Sequence, residues 1–334
     1  MKRRILKIFI YTVITLFVGG GLFYLITWYG FTAERQDVVF GVTFSTVMAR
    51  QLGLEPRKVF DAIVDDLEIK KIRLPVYWSD VGPQEEKFIF DDYDYFVQQS
   101  EKNGVKLILA IGRKLPRWPE CFAPAWATFE REDIDETSLR YIETVVGRYK
   151  NSPAIEYWQI ENEPFHTFGS GCAAGKLKTQ QVEREIALVR SLDSRPIVLT
   201  DSGEQGFWAS SLARSDVTGV SMYLQVWNDT LGVVQFPFGP GFYVLKRSIF
   251  NYAYPEKKII VSELEAEPWG PSLLPGYDLS FQKELMSAER FREVLSYARR
   301  SGFDTFYLWG VEWWYWLKES QNASDIWNEA KRLF

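Results

Sequence analysis

Two carboxylates in this sequence stand where short apolar runs end. Trp158-Gln159-Ile160-Glu161-Asn162-Glu163-Pro164 closes one run, and Ile260-Val261-Ser262-Glu263-Leu264-Glu265 closes another. Two carboxyl groups facing each other across a small gap can cleave an acetal. One protonates the leaving oxygen and the other attacks the carbon; for a glycosidic bond cut with retention, the gap is about 5–5.5 Å. A single Glu at a strand tip is more often solvated or ion-paired than chemical. The pair in context therefore matters more than either member.

The elements that must bring such a pair together are legible as an alternation. Near-continuous apolar runs begin at residues 38, 71, 106, 155, 196, 219, 258 and 305. Such runs suit strands buried on both faces. Between them the apolar residues fall at helical spacing, as in Phe60, Ile63, Val64 and Leu67, or Leu139, Ile142, Val146 and Tyr149. Strict alternation of strand and helix predicts a parallel sheet. Eight units over about 300 residues predict a closed (β/α)₈ TIM barrel rather than an open doubly wound sheet. No Gly-x-Gly-x-x-Gly follows the first run, which argues against a dinucleotide site. In a barrel of this kind the chemistry sits at the C-terminal strand ends, where Glu163 and Glu263 are expected.

Asn162-Glu163-Pro164 at the end of the fourth run, with Glu263 at the end of the seventh, resembles clan A of the glycoside hydrolases, which holds cellulases, mannanases, β-glucosidases and β-xylosidases. The resemblance implies that Glu163 is the acid/base and Glu263 the nucleophile. It implies that Asn162 meets the sugar 2-hydroxyl, Arg73 keeps the nucleophile ionised, Tyr223 hydrogen-bonds it and Trp309 lies under the reacting sugar. Arg73 also admits a reading as a structural barrel arginine. Glu265 is the alternative nucleophile, since it and Glu267 crowd the same strand end. The similarity covers residues 38–316 and includes the segment Val76-Tyr77-Trp78-Ser79-Asp80-Val81-Gly82-Pro83. Two departures are visible. Ser262 replaces the more usual Thr, and the single histidine, His166, follows the fourth-run motif rather than preceding it. The implied reaction is double displacement on an O-glycosidic, β-linked bond, with no metal or organic cofactor. A transglycosylase with the same residues, or a carbohydrate-binding barrel without turnover, are the alternatives.

The rest of the chain bounds this reading. Aromatics make up 16% of the residues, and flat rings with a polar edge suit sugar stacking as well as a large core. A net charge of −5 with no basic stripe beyond the N-terminus argues against nucleic acid as a partner, and the resemblance implies an oligo- or polysaccharide substrate. Met1-Lys2-Arg3-Arg4 and Lys7 precede an uncharged apolar stretch, residues 8–28. At about 1.5 Å per residue it spans about 30 Å, a bilayer core. It ends in Leu25-Ile26-Thr27-Trp28-Tyr29-Gly30, a poor cleavage site, so an uncleaved anchor is expected over a signal peptide. Residues 1–30 then form a cytoplasmic stub and transmembrane anchor, 31–37 a linker, and 38–334 an extracytoplasmic catalytic domain. Cys121 and Cys172 are the only cysteines. With one histidine they make no structural zinc site. They follow the third and fourth runs, and a disulfide between two rim loops is expected.

Overall fold

Alternation along each strand sorts the side chains into two cores. The computed structural model describes residues 2–128, 131–166 and 177–334. Its strands are β1 (Val39–Thr43), β2 (Lys71–Pro75), β3 (Lys106–Ile111), β4 (Ile155–Ile160), β5 (Ile197–Asp201), β6 (Val217–Met222), β7 (Gln225–Asn228), β8 (Gly232–Gln235), β9 (Lys258–Glu265) and β10 (Thr305–Trp309). Ile108, Val198, Ile260 and Tyr307 form one small cluster. Their chain neighbours Leu107 and Leu109, Ile197 and Leu199, Ile259 and Val261, and Phe306 and Leu308 belong to the large one. A period of two puts the first set inside a closed sheet and the second set against the helices.

The sheet closes in the order β1-β10-β9-β6-β5-β4-β3-β2, all parallel, as predicted for a TIM barrel. Every one of the eight apolar runs supplies one barrel strand. Two strands differ from their expected bounds in ways that bear on the chemistry. The sixth strand starts two residues earlier and stops before Tyr223, and the seventh, β9, continues to Glu265. Glu263 therefore lies on a strand, not beyond one. The register against β6 slips between Val220 and Ser221, and against β10 between Phe306 and Leu308. Such a bulge re-aims side chains next to a site.

Between β6 and β9 the chain makes an antiparallel hairpin, β7–β8, that hydrophobic periodicity did not reveal. Helices such as Ile134–Tyr149, Thr179–Leu192 and Ala288–Arg300 cover the barrel with one apolar face each. The closing helix runs Asp325–Lys331, with Ile326 and Ala330 buried as their spacing suggests.

Helix α1 (Lys2–Tyr29) contains a stretch, Lys7–Tyr29, long and apolar enough to cross a membrane. Its last turn is not free of the barrel. Thr27 is fully buried, and its Oγ1 accepts from Gly239 N at 3.1 Å. The Trp28 ring meets Tyr297 edge-on at 5.9 Å, and Arg300 donates to Trp28 O at 2.6 Å. Gly239 permits this approach, because a Cβ there would run into the Thr27 carbonyl and the Trp28 backbone. The segment expected as a linker is tied down as well: Arg300 donates to Thr32 Oγ1 at 3.1 Å, and Arg35 N to Arg299 O at 3.0 Å.

Candidate active site

Above the small apolar cluster, the barrel interior turns polar. Arg73 points inward from β2 between the outward-facing Ile72 and Leu74, and it is fully buried. A buried guanidinium needs partners on all sides. Its Nε donates to Gln159 Oε1 at 2.7 Å, Nη1 to Glu263 Oε1 at 2.8 Å and Nη2 to Asn162 Oδ1 at 2.8 Å. One planar cation thus links β4 and β9 across the barrel. Tyr223, just past β6, donates from its hydroxyl to Glu263 Oε2 at 3.1 Å. Both carboxylate oxygens of Glu263 are held, so the group has one orientation.

Glu163 and its neighbour are placed by an unusual backbone. Glu161 and Glu163 have φ of 56° and 43°, in the left-handed region. Such conformations cost about 1–3 kcal/mol each and persist only where the surroundings impose them. The surroundings are specific. The buried Glu161 carboxylate accepts from Arg113 N at 3.0 Å and from Lys114 N. Gly112, φ 135°, lies against that carboxylate so closely that a Cβ would overlap it. Glu163 N donates to Thr200 Oγ1 at 2.7 Å, and the same hydroxyl donates to Asn162 Oδ1 at 3.1 Å.

The electrostatics separate the two carboxyls. Burial pushes the Glu163 carboxyl well above the usual carboxylate range, and the negative charges of Glu263 and Glu120 push it further. Glu263 sits against the Arg73 cation. A carboxyl whose protonated form is favoured thus stands within electrostatic reach of one held by Arg73, an asymmetry that an acid and a nucleophile would need. Burial, then the charge of Glu263, also raises the Tyr223 phenol well above its ordinary value, so it stays a donor.

A cleft of about 570 Å³ opens at this end of the barrel, and Tyr223, Glu263 and Trp309 line it. Glu163, 8% exposed, is not among the lining residues, but its carboxyl feels the charges of Glu263 and Glu120, which are. Arg73 and Asn162 are buried next to it: Arg73 reaches the lining through Glu263, and Asn162 through its hydrogen bond with Glu120. Trp309 Nε1 donates to Glu267 Oε1 at 2.8 Å, and the Arg117 guanidinium lies 4.2 Å from the Trp309 ring centre. Arg117 pairs with Glu267 and, at 2.9 Å, with Glu312.

Several participants escaped sequence reasoning. Arg117, Trp118 and Glu120 reach the cleft from the loop after β3, and Trp227 and Asp229 from the hairpin. The charged, proline-bearing segment Arg113-Lys114-Leu115-Pro116-Arg117-Trp118-Pro119-Glu120 at a strand end was the available signal for the first group. Glu265 is not poised in the cleft. Its Oε2 accepts from Leu224 N at 2.7 Å and Gln225 N at 3.2 Å, bracing the start of the hairpin. Of the aromatic run after the last barrel strand, Trp313 and Trp314 are fully buried under the rim, donating to Gln282 Oε1 and Ala266 O. The rings at the cleft are instead Trp118, Trp227, Trp269 and Trp309. His166 gives its backbone carbonyl to Lys114, and no cluster of metal-ligating side chains occurs among the described residues. Cys121 forms an isolated β-bridge with Lys114; Cys172, and with it the expected disulfide, lies outside the described residues.

Known proteins resemble this chain in sequence and in fold. Mannan endo-1,4-beta-mannosidase A of Emericella nidulans is 32% identical over 124 residues, covering 34% of this chain and 30% of that protein. Probable mannan endo-1,4-beta-mannosidase A-2 of Aspergillus terreus is 30% identical over 159 residues, covering 44% and 37%. The similarity thus spans about a third of the length of these relatives. Among solved structures, a family 10 endo-beta-1,4-xylanase of Gloeophyllum trabeum superposes with a TM-score of 0.54 at 18% identity, covering 84% of this chain and 86% of that one. The endo-beta-1,4-mannanase of Thermotoga petrophila gives 0.51 at 15%, covering 82% and 68%. These two speak for the fold. Residues 33–238 match the family described as Cellulase (glycosyl hydrolase family 5), and the chain belongs to that family.

Proposed function

We propose that this protein is a retaining glycosidase acting on β-linked oligo- or polysaccharides, with Glu263 as nucleophile and Glu163 as acid/base. The observation that carries the reading is the bonding of Glu263. One oxygen rests on Arg73 and the other on Tyr223, which fixes an anion at the cleft wall while burial keeps Glu163 protonated. In the first step Glu263 forms a bond to the anomeric carbon as the bond to the leaving oxygen breaks, and the Glu163 proton passes to that oxygen. In the second, Glu163 takes a proton from water, whose oxygen attacks the same carbon and frees Glu263. Trp309 and the rim tryptophans offer apolar faces to the sugar rings. The names of the relatives point to mannan as the first polysaccharide to try.

The domain is held at a membrane by α1, its N-terminus cytoplasmic and the barrel outside. The support is the length and apolarity of Lys7–Tyr29 and the basic residues before it.

The test is to follow the anomeric proton of the first-formed product by NMR during hydrolysis of β-mannan, β-glucan and β-xylan. Retention predicts the β-anomer first, with the α-anomer arising only by mutarotation. An α-anomer formed first would mean inversion, and no cleavage of any β-linked substrate would remove the proposal.

A further inference from the structure

Glu120 has no part in the two-carboxylate reaction as derived above, yet it stands inside it. It lines the cleft with Glu263 and Tyr223, on a backbone with φ of 67°. Its carboxyl is 14% exposed and lies 3.5 Å from Lys114 Nζ. That ammonium is itself fixed by the carbonyls of Glu163 and His166 at 2.9 and 3.2 Å. The carboxyl is therefore anchored, not merely nearby.

Its other neighbour defines what it can bind. Asn162 Oδ1 already accepts from Arg73 and from Thr200. The orientation of the amide follows, since an oxygen with two donors must be the oxygen. The amide NH₂ is then the end that hydrogen-bonds Glu120. An NH₂ has two hydrogens, and one remains for another acceptor. A sugar hydroxyl between the two groups would accept from Asn162 and donate to Glu120. Asn162 shares Arg73 with the nucleophile, so this hydroxyl lies next to the carbon that Glu263 attacks. On a pyranose that is the 2-hydroxyl, the position whose hydrogen bonds strengthen in the transition state. Burial, opposed by Lys114 and aided by the charge of Glu263, raises the Glu120 carboxyl to about 7, where a donated hydrogen bond would steady the anion.

Resting on the glycosidase reading above, we infer that Glu120 is a further substrate-binding group, accepting a hydrogen bond from the 2-hydroxyl of the reacting sugar while Asn162 donates to the same hydroxyl.

The experiment is a cycle on the full chain in detergent. Wild type, Glu120→Ala and Glu120→Gln are each assayed with an aryl β-glycoside and its 2-deoxy counterpart. Removing the hydroxyl should lower kcat/KM in wild type by about 10- to 100-fold more than in Glu120→Ala, the effect of one hydrogen bond to a charged group. Glu120→Gln, which keeps the shape and an acceptor oxygen, should fall between. Its alkaline limit of kcat/KM should also move to lower pH, because one negative charge beside Glu163 is gone. Equal losses on deoxygenation in wild type and Glu120→Ala would overturn the inference while leaving the glycosidase reading standing. Wild type without activity on any glycoside would overturn both. Glu120→Gln reports independently should the alanine variant misfold: a deoxygenation loss equal to that of wild type, with an unmoved alkaline limit, overturns the assignment.

Discussion

Glu163 and Glu263 are chemically the same side chain, and the barrel makes them different. Glu263 accepts from Arg73 and Tyr223. Glu163 is buried near other carboxyls, which favours its protonated form. The consequence appears in the pH profile. The acid must be protonated for the first step, so kcat/KM should fall as pH rises through the folded-state value of Glu163, which lies well above the ordinary carboxylate range. Glu163→Gln should abolish that alkaline limb for an activated aryl glycoside, whose leaving group needs little protonation. An unchanged limb in Glu163→Gln would assign the titration to another group. The same burial implies that Glu163→Gln folds at least as stably as wild type at neutral pH, since it removes a carboxyl that burial disfavours in its charged form. Loss of the Glu263 charge works in the opposite direction, because it strands the buried Arg73 cation and should destabilise.

The functional elements are strand tips and the turns beyond them. What was legible there was the strand itself: near-continuous apolar runs flag strands buried on both sides, and the residue after the run is then known to face the rim. Glu163 and Glu263 follow from that reasoning because they stand just beyond such runs, whereas Arg73, Asn162, Tyr223 and Trp309 were legible only through the resemblance to clan A. Arg117 and Glu120 follow from neither, because their placement depends on contacts far along the chain, with Glu267 and Glu312 for Arg117 and with Asn162 for Glu120. The extension of β9 to Glu265 was likewise hidden, since its polar tail reads as a loop until the bulges against β6 and β10 are seen. Gly112 is the element's most exacting position. With φ 135° and the Glu161 carboxylate where a Cβ would stand, Gly112→Ala combines backbone strain with overpacking and should cost about 2–4 kcal/mol. Its kcat/KM should fall with stability, because Glu161 holds the N–H groups of Arg113 and Lys114 from which the Glu120 loop departs. Chemical denaturation and steady-state kinetics on the same samples check this. A stable variant with full activity would show that the Glu161 brace is dispensable.

At the scale of the whole molecule, the apolar helix and the barrel meet in a packed joint. Thr27 and Trp28 lie against the segment before helix Gly241–Ala253 and against Tyr297, with Arg300 closing on the Trp28 carbonyl. A flexible tether would let the barrel turn freely about α1; this joint fixes it against the end of the helix. If α1 spans the membrane, the full chain should remain with membranes after an alkaline carbonate wash, and extraction by the wash would contradict a spanning helix. A chain shortened to begin at Leu25 should melt higher than one shortened to begin at Asp37, since only the first retains the buried Thr27 and the Trp28–Tyr297 contact. Equal melting temperatures would mean that the joint contributes no stability.

The central claim is the assignment of roles to the two carboxyls, and azide separates them directly. Azide attacks without a base, so it bypasses a missing Glu163 at the second step and a missing Glu263 at the first. With an activated aryl β-glycoside, Glu163→Ala plus azide should regain turnover and release the β-glycosyl azide, after two displacements. Glu263→Ala plus azide should give the α-glycosyl azide, after one. Interchanged products would exchange the two roles, and full activity of both variants without azide would contradict the account altogether.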